Sequence, residues 1–262
     1  MPRSVSVTYL VSPTTEALAA SAAGFVVDAA AAAVTARGVA RIAISGGNTP
    51  KGMFALLADR SQPFFAKMLW DKLHLFWVDE RCVPPTDKDS NYRMTNEAML
   101  AHVPLPAAQV HRMEGELEPE SAAARYEAVL RAEFGERTPV FDLVLLGMGD
   151  DGHTASLFPH TAGLHEESRF VIANHVPQKD TWRITLTAPV INSGRAVAFL
   201  IEGADKAPVI QDVFLGPYDP ESKPSQLVRP ESGALTLLLD QAAAAKLPAP
   251  ASSSAAGVLE LN

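Results

Sequence analysis

Val39-Ala40-Arg41-Ile42-Ala43-Ile44-Ser45-Gly46-Gly47-Asn48-Thr49-Pro50 is the stretch on which the reading of the fold turns. Val39–Ile44 is short and mostly apolar, the pattern of a parallel strand buried on both faces. Two glycines follow, and Pro50 opens a helix expected over Pro50–Asp59. A strand, a glycine-rich turn and a helix in that order begin an α/β unit. The same alternation extends in both directions. Upstream, Ser4–Leu10 alternates like an edge strand, and the Ala-rich Thr14–Arg37 reads as a helix stopped by Gly38. Downstream, Leu73–Val78 is strand-like and Ser90–His102 helix-like, with Ser90 as N-cap. Ser121–Phe134 is a helix that places Tyr126, Val129, Leu130 and Phe134 on one face. Val140–Leu146 is the most hydrophobic strand candidate. Phe170–Ala173, Arg183–Thr187, Val197–Ile201 and Leu235–Leu239 read as further strands, and Lys206–Phe214 as a helix. The expected architecture is α/β, a parallel sheet covered on both faces. Residues 1–240 form one domain in this reading. Pro217–Pro230 is a surface loop, and 241–262, rich in Ala, Pro and Ser, is a mobile tail.

Bulk properties exclude several classes. A net charge of −8 argues against nucleic acid as the main partner, since phosphate backbones call for a basic face. Cys82 is the single cysteine, so no internal disulfide forms, which suits a reducing cytoplasm. No run of signal-peptide or membrane-spanning length is expected.

Ser45–Pro50 offers an anion site: backbone N–H groups of Gly46 and Gly47, the hydroxyls of Ser45 and Thr49, and a helix start. It lacks the Gly-Lys-Ser/Thr of a Walker A loop, and a plain capped turn has the same sequence. Gly147-Met148-Gly149-Asp150-Asp151-Gly152-His153 matches the Gly-x-Gly-x-x-Gly dinucleotide fingerprint. Asp150 and Asp151 are ill-suited to a pyrophosphate, and Pro159 cuts short any crossover helix, so no nicotinamide cofactor is expected. The segment fits acid–base chemistry better. His153 would begin a short helix, Thr154–Phe158, whose positive end disfavours an imidazolium and leaves a neutral base. Asp151 could fix its tautomer. A lone histidine is as readily structural. Without a Gly-x-Ser-x-Gly nucleophile, the base would activate water. The oxyanion donor would be a backbone N–H near Gly46 or Gly149.

Arg81 and Lys206 follow predicted strands, where parallel sheets bind ligands, while Arg183 opens its strand; each taken alone reads better as a solvated surface charge. His153, His160 and His165 match no metal spacing, and His74, His102, His111 and His175 are scattered, so no metal site is expected.

In order and spacing these segments resemble the 6-phosphogluconolactonase family. The matching stretches are Ile44–Pro50, Trp77-Val78-Asp79-Glu80-Arg81, Asp89-Ser90-Asn91-Tyr92, Gly147–Pro159, Arg183–Thr187 and Pro189-Val190-Ile191-Asn192. The resemblance implies a three-layer parallel-sheet fold like that of glucosamine-6-phosphate deaminase, ribose-5-phosphate isomerase and the CoA-transferase-like group. It implies hydrolysis of 6-phospho-D-glucono-1,5-lactone in the oxidative pentose phosphate pathway, without a cofactor, by a cytoplasmic monomer or small homo-oligomer. His153 would be the base and Asp151 its orienter. Ser45, Gly46, Gly47, Asn48, Thr49, Arg81, Arg183 and Lys206 would bind the phosphosugar lactone. Asn48 stands where Ser or Thr is frequent, and Asp150 fills a variable position. Deaminases of similar fold follow Asp-Gly-His with an Ala-Phe-Asn-Glu-Pro type sequence; Ala155-Ser156-Leu157-Phe158-Pro159 carries no acid. A phosphosugar deaminase or isomerase and a non-catalytic sugar-phosphate sensor are the alternatives.

Overall fold

The alternation of side chains along one strand explains the layers. In Leu143–Leu146, Leu143 and Leu145 enter one hydrophobic core with Ile42, Leu75 and Trp77. Val144 and Leu146 enter a second with Phe76, Phe199 and Leu237. All four residues are buried, as a strand covered on both faces demands. Each such leucine contributes about 1.5–3 kcal/mol by leaving water. The computed structural model describes residues 4–249 and 256–261.

The chain runs β1 (Val5–Ser12), α1 (Thr15–Arg37), β2 (Ala40–Ile44), α2 (Thr49–Ala58), α3 (Pro63–Lys67), β3 (Leu73–Trp77), β4 (Asp79–Arg81), α4 (Asn91–Ala98), β5 (Val110–His111) and α5 (Pro119–Phe134). It continues through β6 (Leu143–Leu146), β7 (Val171–Val176), β8 (Thr181–Leu186), α6 (Ala188–Asn192), β9 (Ala196–Ile201), α7 (Ala207–Leu215), β10 (Ala234–Asp240) and β11 (Ala256–Leu261). Eight strands form the central sheet in the order β11-β1-β10-β9-β6-β2-β3-β5, parallel except for β11. From β2 the chain builds outward to β3 and β5, and from β6 outward the other way to β9 and β10. The loops after β2 and β6 therefore diverge, which opens a crevice at their carboxyl ends.

Several expectations need correcting. β1 is not an edge strand: Ala256–Leu261 pairs antiparallel with it and takes the edge. That part of the expected mobile tail is thus part of the sheet; residues 250–255 and 262 lie outside the described residues. The strands expected over Phe170–Ala173 and Arg183–Thr187 do not join the parallel sheet. They are β7 and β8, which form a separate antiparallel sheet with β4. The link Pro177–Asp180 is far shorter than a parallel crossover requires, so a hairpin is the available connection. α1 is long and apolar enough to span a bilayer, with a mean hydropathy of 1.8, contrary to expectation. Its Leu18, Ala22, Val26 and Ala33 are buried against the sheet instead. Its ends are as read: Thr14 accepts the Ala17 N–H, and Gly38 closes the helix at φ 77°.

Candidate active site

The second sheet matters because it leans over the crevice. The chain leaves the main sheet at Val78, whose N–H donates to Ile44 O at 2.9 Å and whose carbonyl accepts from Leu186 N at 2.8 Å. It then pairs with β8 in a register that sets Arg81 opposite Arg183. Two residues far apart in sequence become cross-strand neighbours. Among the described residues neither guanidinium has a carboxylate within ion-pair distance. Arg81 donates to Asp89 O, and Arg183 to Thr181 Oγ1 at 2.9 Å and Trp182 O at 3.1 Å. Burial and the neighbouring Arg81 hold the Arg183 pKa below the usual arginine range. Adjacent, partly desolvated cations of this kind attract an anion.

Both arginines line a cavity of about 250 Å³ with the Ser45–Thr49 loop, Gly147–Gly149, His153 and Lys206. Of the residues expected at the site, Asp151 alone stands behind this lining. Its Oδ1 lies 2.5 Å from His153 Nδ1 and also accepts the His153 backbone N–H at 3.0 Å. Burial pushes the Asp151 carboxyl up, but the hydrogen bond and charge of His153 outweigh it and hold it at about 2. An ionised carboxylate can only accept, so the Nδ1 beside it must carry the proton, which leaves the Nε2 lone pair free. The imidazole stacks on Phe158 at 4.0 Å. It also packs closely on Gly149: a Cβ there would lie 2.1 Å from both Cε1 and Nδ1.

The expected helix Thr154–Phe158 does not form. Leu157 N donates to Thr154 O at 2.9 Å, Ala155 takes φ 48°, and Ser156 N donates to Thr185 Oγ1 at 3.2 Å. The segment is a tight turn pinned to the second sheet, so the helix-dipole argument for a neutral His153 falls away. The Asp151 contact supplies the tautomer instead. Gly149 N–H, a suggested oxyanion donor, is already given to His153 O at 2.9 Å.

The Ser45 hydroxyl is also committed. It donates to Leu145 O at 3.0 Å and accepts from Gly147 N at 3.3 Å, splicing β2 to β6. The backbone of Gly46 and Gly47 remains for a ligand, and Asn48 and Thr49 line the same cavity. Gly47 has φ 99°, and a Cβ on Gly46 would stand 1.9 Å from Asn91 Oδ1. Lys206, just before α7, pairs with Asp150.

Sequence reasoning missed Asp79, Asn91, Ser156 and Lys179, which also line the cavity. Asp79 Oδ2 accepts from Ser156 Oγ at 2.6 Å, and Asp79 O from Asn91 Nδ2 at 2.9 Å. Asn91 Oδ1 is buried without a partner. Glu80 fixes Asn91 by accepting the N–H groups of Asn91 and Tyr92, the first turn of α4, at 2.7 and 2.9 Å. The signal for Asn91 was its place in Asp89-Ser90-Asn91-Tyr92. Lys179 carried none, because the β7–β8 hairpin alone brings it near. The Pro217–Pro230 loop braces the site: Ser225 N donates to Gly152 O at 2.8 Å, and Pro224, Ser225 and Gln226 are buried.

Fold and cavity define a class: an α/β protein with a cationic pocket at its topological switch point and an oriented histidine beside it. The chain matches the family described as glucosamine-6-phosphate isomerases/6-phosphogluconolactonase over residues 13–237. It is 42% identical over 219 residues to the 6-phosphogluconolactonase of Synechocystis, covering 82% of this chain and 88% of that one. It is 40% identical over 246 residues to the 6-phosphogluconolactonase of Mycobacterium tuberculosis, covering 90% and 96%. A solved structure described as devB protein superposes with a TM-score of 0.83 at 33% identity, covering 92% of this chain and 100% of that one. The chain belongs to the glucosamine-6-phosphate isomerase/6-phosphogluconolactonase family.

Proposed function

We propose that this chain hydrolyses 6-phospho-D-glucono-1,5-lactone to 6-phosphogluconate, a step of the oxidative pentose phosphate pathway. The observation that carries the reading is the pair Arg81 and Arg183, adjacent and without a carboxylate partner among the described residues, on the same cavity as His153. Arg81, Arg183 and Lys206 hold the phosphate, and Lys206 exchanges Asp150 for it. The N–H groups of Gly46 and Gly47 add to this anion site. His153 Nε2 takes a proton from water as the water oxygen bonds to C1 of the lactone. The tetrahedral intermediate collapses, the bond from C1 to the ring oxygen breaks, and the imidazolium returns the proton to that oxygen. Asp151 stabilises the imidazolium between the two transfers. The substrate is an activated ester, so a positioned water suffices as nucleophile. A cytoplasmic monomer or small homo-oligomer belongs to the same reading, in keeping with the single cysteine, half-buried Cys82.

Arg183→Ala is expected to raise KM for the phosphorylated lactone about 10- to 100-fold, the worth of a hydrogen bond to a charged group, with a smaller change in kcat. Initial rates on freshly made phosphorylated and unphosphorylated lactone check this; equal weakening of both would remove the phosphate role. Asp151→Asn should lower kcat by about tenfold or more while KM holds, because the charge that fixes the Nδ1 proton is gone. An Asn variant with wild-type kcat would reduce Asp151 to a turn residue.

A further inference from the structure

Three groups that the sequence holds apart meet at the β5 edge of the main sheet, away from the cleft. His74 lies near the start of β3, in register with Arg41 of β2. His111 lies in β5, and Glu133 in the last turn of α5. His74 Nδ1 and His111 Nε2 are 3.1 Å apart. Glu133 Oε2 lies 3.3 Å from His74 Nδ1, and Oε1 lies 3.9 Å from His111 Nε2. Ligands bound at about 2.0–2.1 Å to a tetrahedral ion stand about 3.3 Å apart along each edge. The His74–His111 and His74–Glu133 separations are close to such an edge, and one ligand atom from each of the three residues lies within 4.8 Å of the other two, so a small shift of the Glu133 carboxylate brings all three onto one ion. Two imidazoles and one carboxylate are also a zinc-type donor set. Burial pushes the pKa of both imidazoles down, against the pull of Glu133, which favours the neutral form that binds metal. Packing holds the rings in place: His111 stacks on Phe76 at 4.3 Å and on His74 at 5.3 Å.

We propose that His74, His111 and Glu133 form a divalent-metal site of the zinc type, with its fourth position open to solvent. The ion would clip the two-residue strand β5 and the end of α5 to β3, and so act on stability rather than on the lactone chemistry. Arg41 sets the strength of the site. Its Nε lies 3.9 Å from Glu133 Oε2, a positive charge that opposes a cation and keeps the affinity below that of a closed structural cage.

The test is calorimetric titration of Zn²⁺ into the chelator-stripped chain near neutral pH, with thermal melts alongside. One ion per chain and a Zn²⁺-dependent rise in Tm are expected. Glu133→Gln, nearly isosteric, and His74→Ala should each weaken binding at least about tenfold and remove the Tm rise, with far-UV circular dichroism unchanged. Arg41→Gln should tighten it. His153 with Asp151 and His165 with Glu221 are further histidine–carboxylate pairs that could take zinc, so His153→Ala and His165→Ala serve as controls and should bind as the wild type does. Absence of wild-type binding in molar excess of Zn²⁺ would overturn the proposal without any variant. So would unchanged binding in both Glu133→Gln and His74→Ala, or binding lost only in His153→Ala or only in His165→Ala.

Discussion

His153→Ala is expected to lower kcat for 6-phosphogluconolactone hydrolysis by about 10²–10⁴-fold, the usual worth of a general base, with KM and Tm close to wild type. The reasons are geometric. Nδ1 is taken by Asp151 at 2.5 Å, so Nε2 is the one ring nitrogen left to meet water. The side chain is part of a cavity wall rather than a core, so truncation removes the Phe158 stack and the Asp151 contact but no core packing. Arg81, Arg183 and Lys206 are untouched, which preserves substrate binding. Proton release from freshly generated lactone measures the effect, after subtraction of spontaneous hydrolysis. A variant with wild-type kcat would end the assignment of His153 as base.

Gly149→Ala is expected to cost about 10²-fold in kcat through displacement of the same imidazole. The added Cβ would stand 2.1 Å from Cε1 and Nδ1 of His153 and 2.8 Å from Asp151 Oδ1. Contacts that short cannot persist, so the ring must leave Asp151 or Phe158. Gly149 is not among the glycines with positive φ, so alanine brings no backbone strain of that kind. The collision is with the end of a side chain at the cavity, so the fold should survive with a near-wild-type Tm. KM should move little, because the phosphate contacts lie elsewhere. An active Gly149→Ala enzyme would mean that the ring tolerates another position, and its close packing on Gly149 would lose its catalytic meaning.

These two effects also show what the glycine pattern of Gly147–Gly152 is for. As a string it matches a dinucleotide fingerprint. In the structure Gly149 makes room for an imidazole and Gly152 adopts φ 84°. Local chemistry made the elements legible: the apolar run of β6, Gly38 ending α1, and Ser90 capping α4, whose hydroxyl accepts from Arg93 N at 3.1 Å. The same locality misled at Thr154–Phe158, where a side chain from β8 satisfies a backbone donor and a turn replaces the helix. It misled again at the C-terminus, since the low-complexity composition hides a strand whose partner is at the other end of the chain.

The sequence by itself determined the α/β alternation, the glycine loops at two strand ends and the neighbourhood of His153 and Asp151. Hydrophobic period, turn residues and caps act over a few residues, so they can be read in one dimension. The tertiary structure alone decided that Arg81 and Arg183 stand side by side, that the Ser45 hydroxyl is used inside the sheet, that Lys179 and Asn91 reach the cavity, and that His74, His111 and Glu133 meet. Each of these depends on strand register or on a crossing of distant segments. The energy that selects such pairings comes from burying whole faces of the sheet, not from the residues that are brought together.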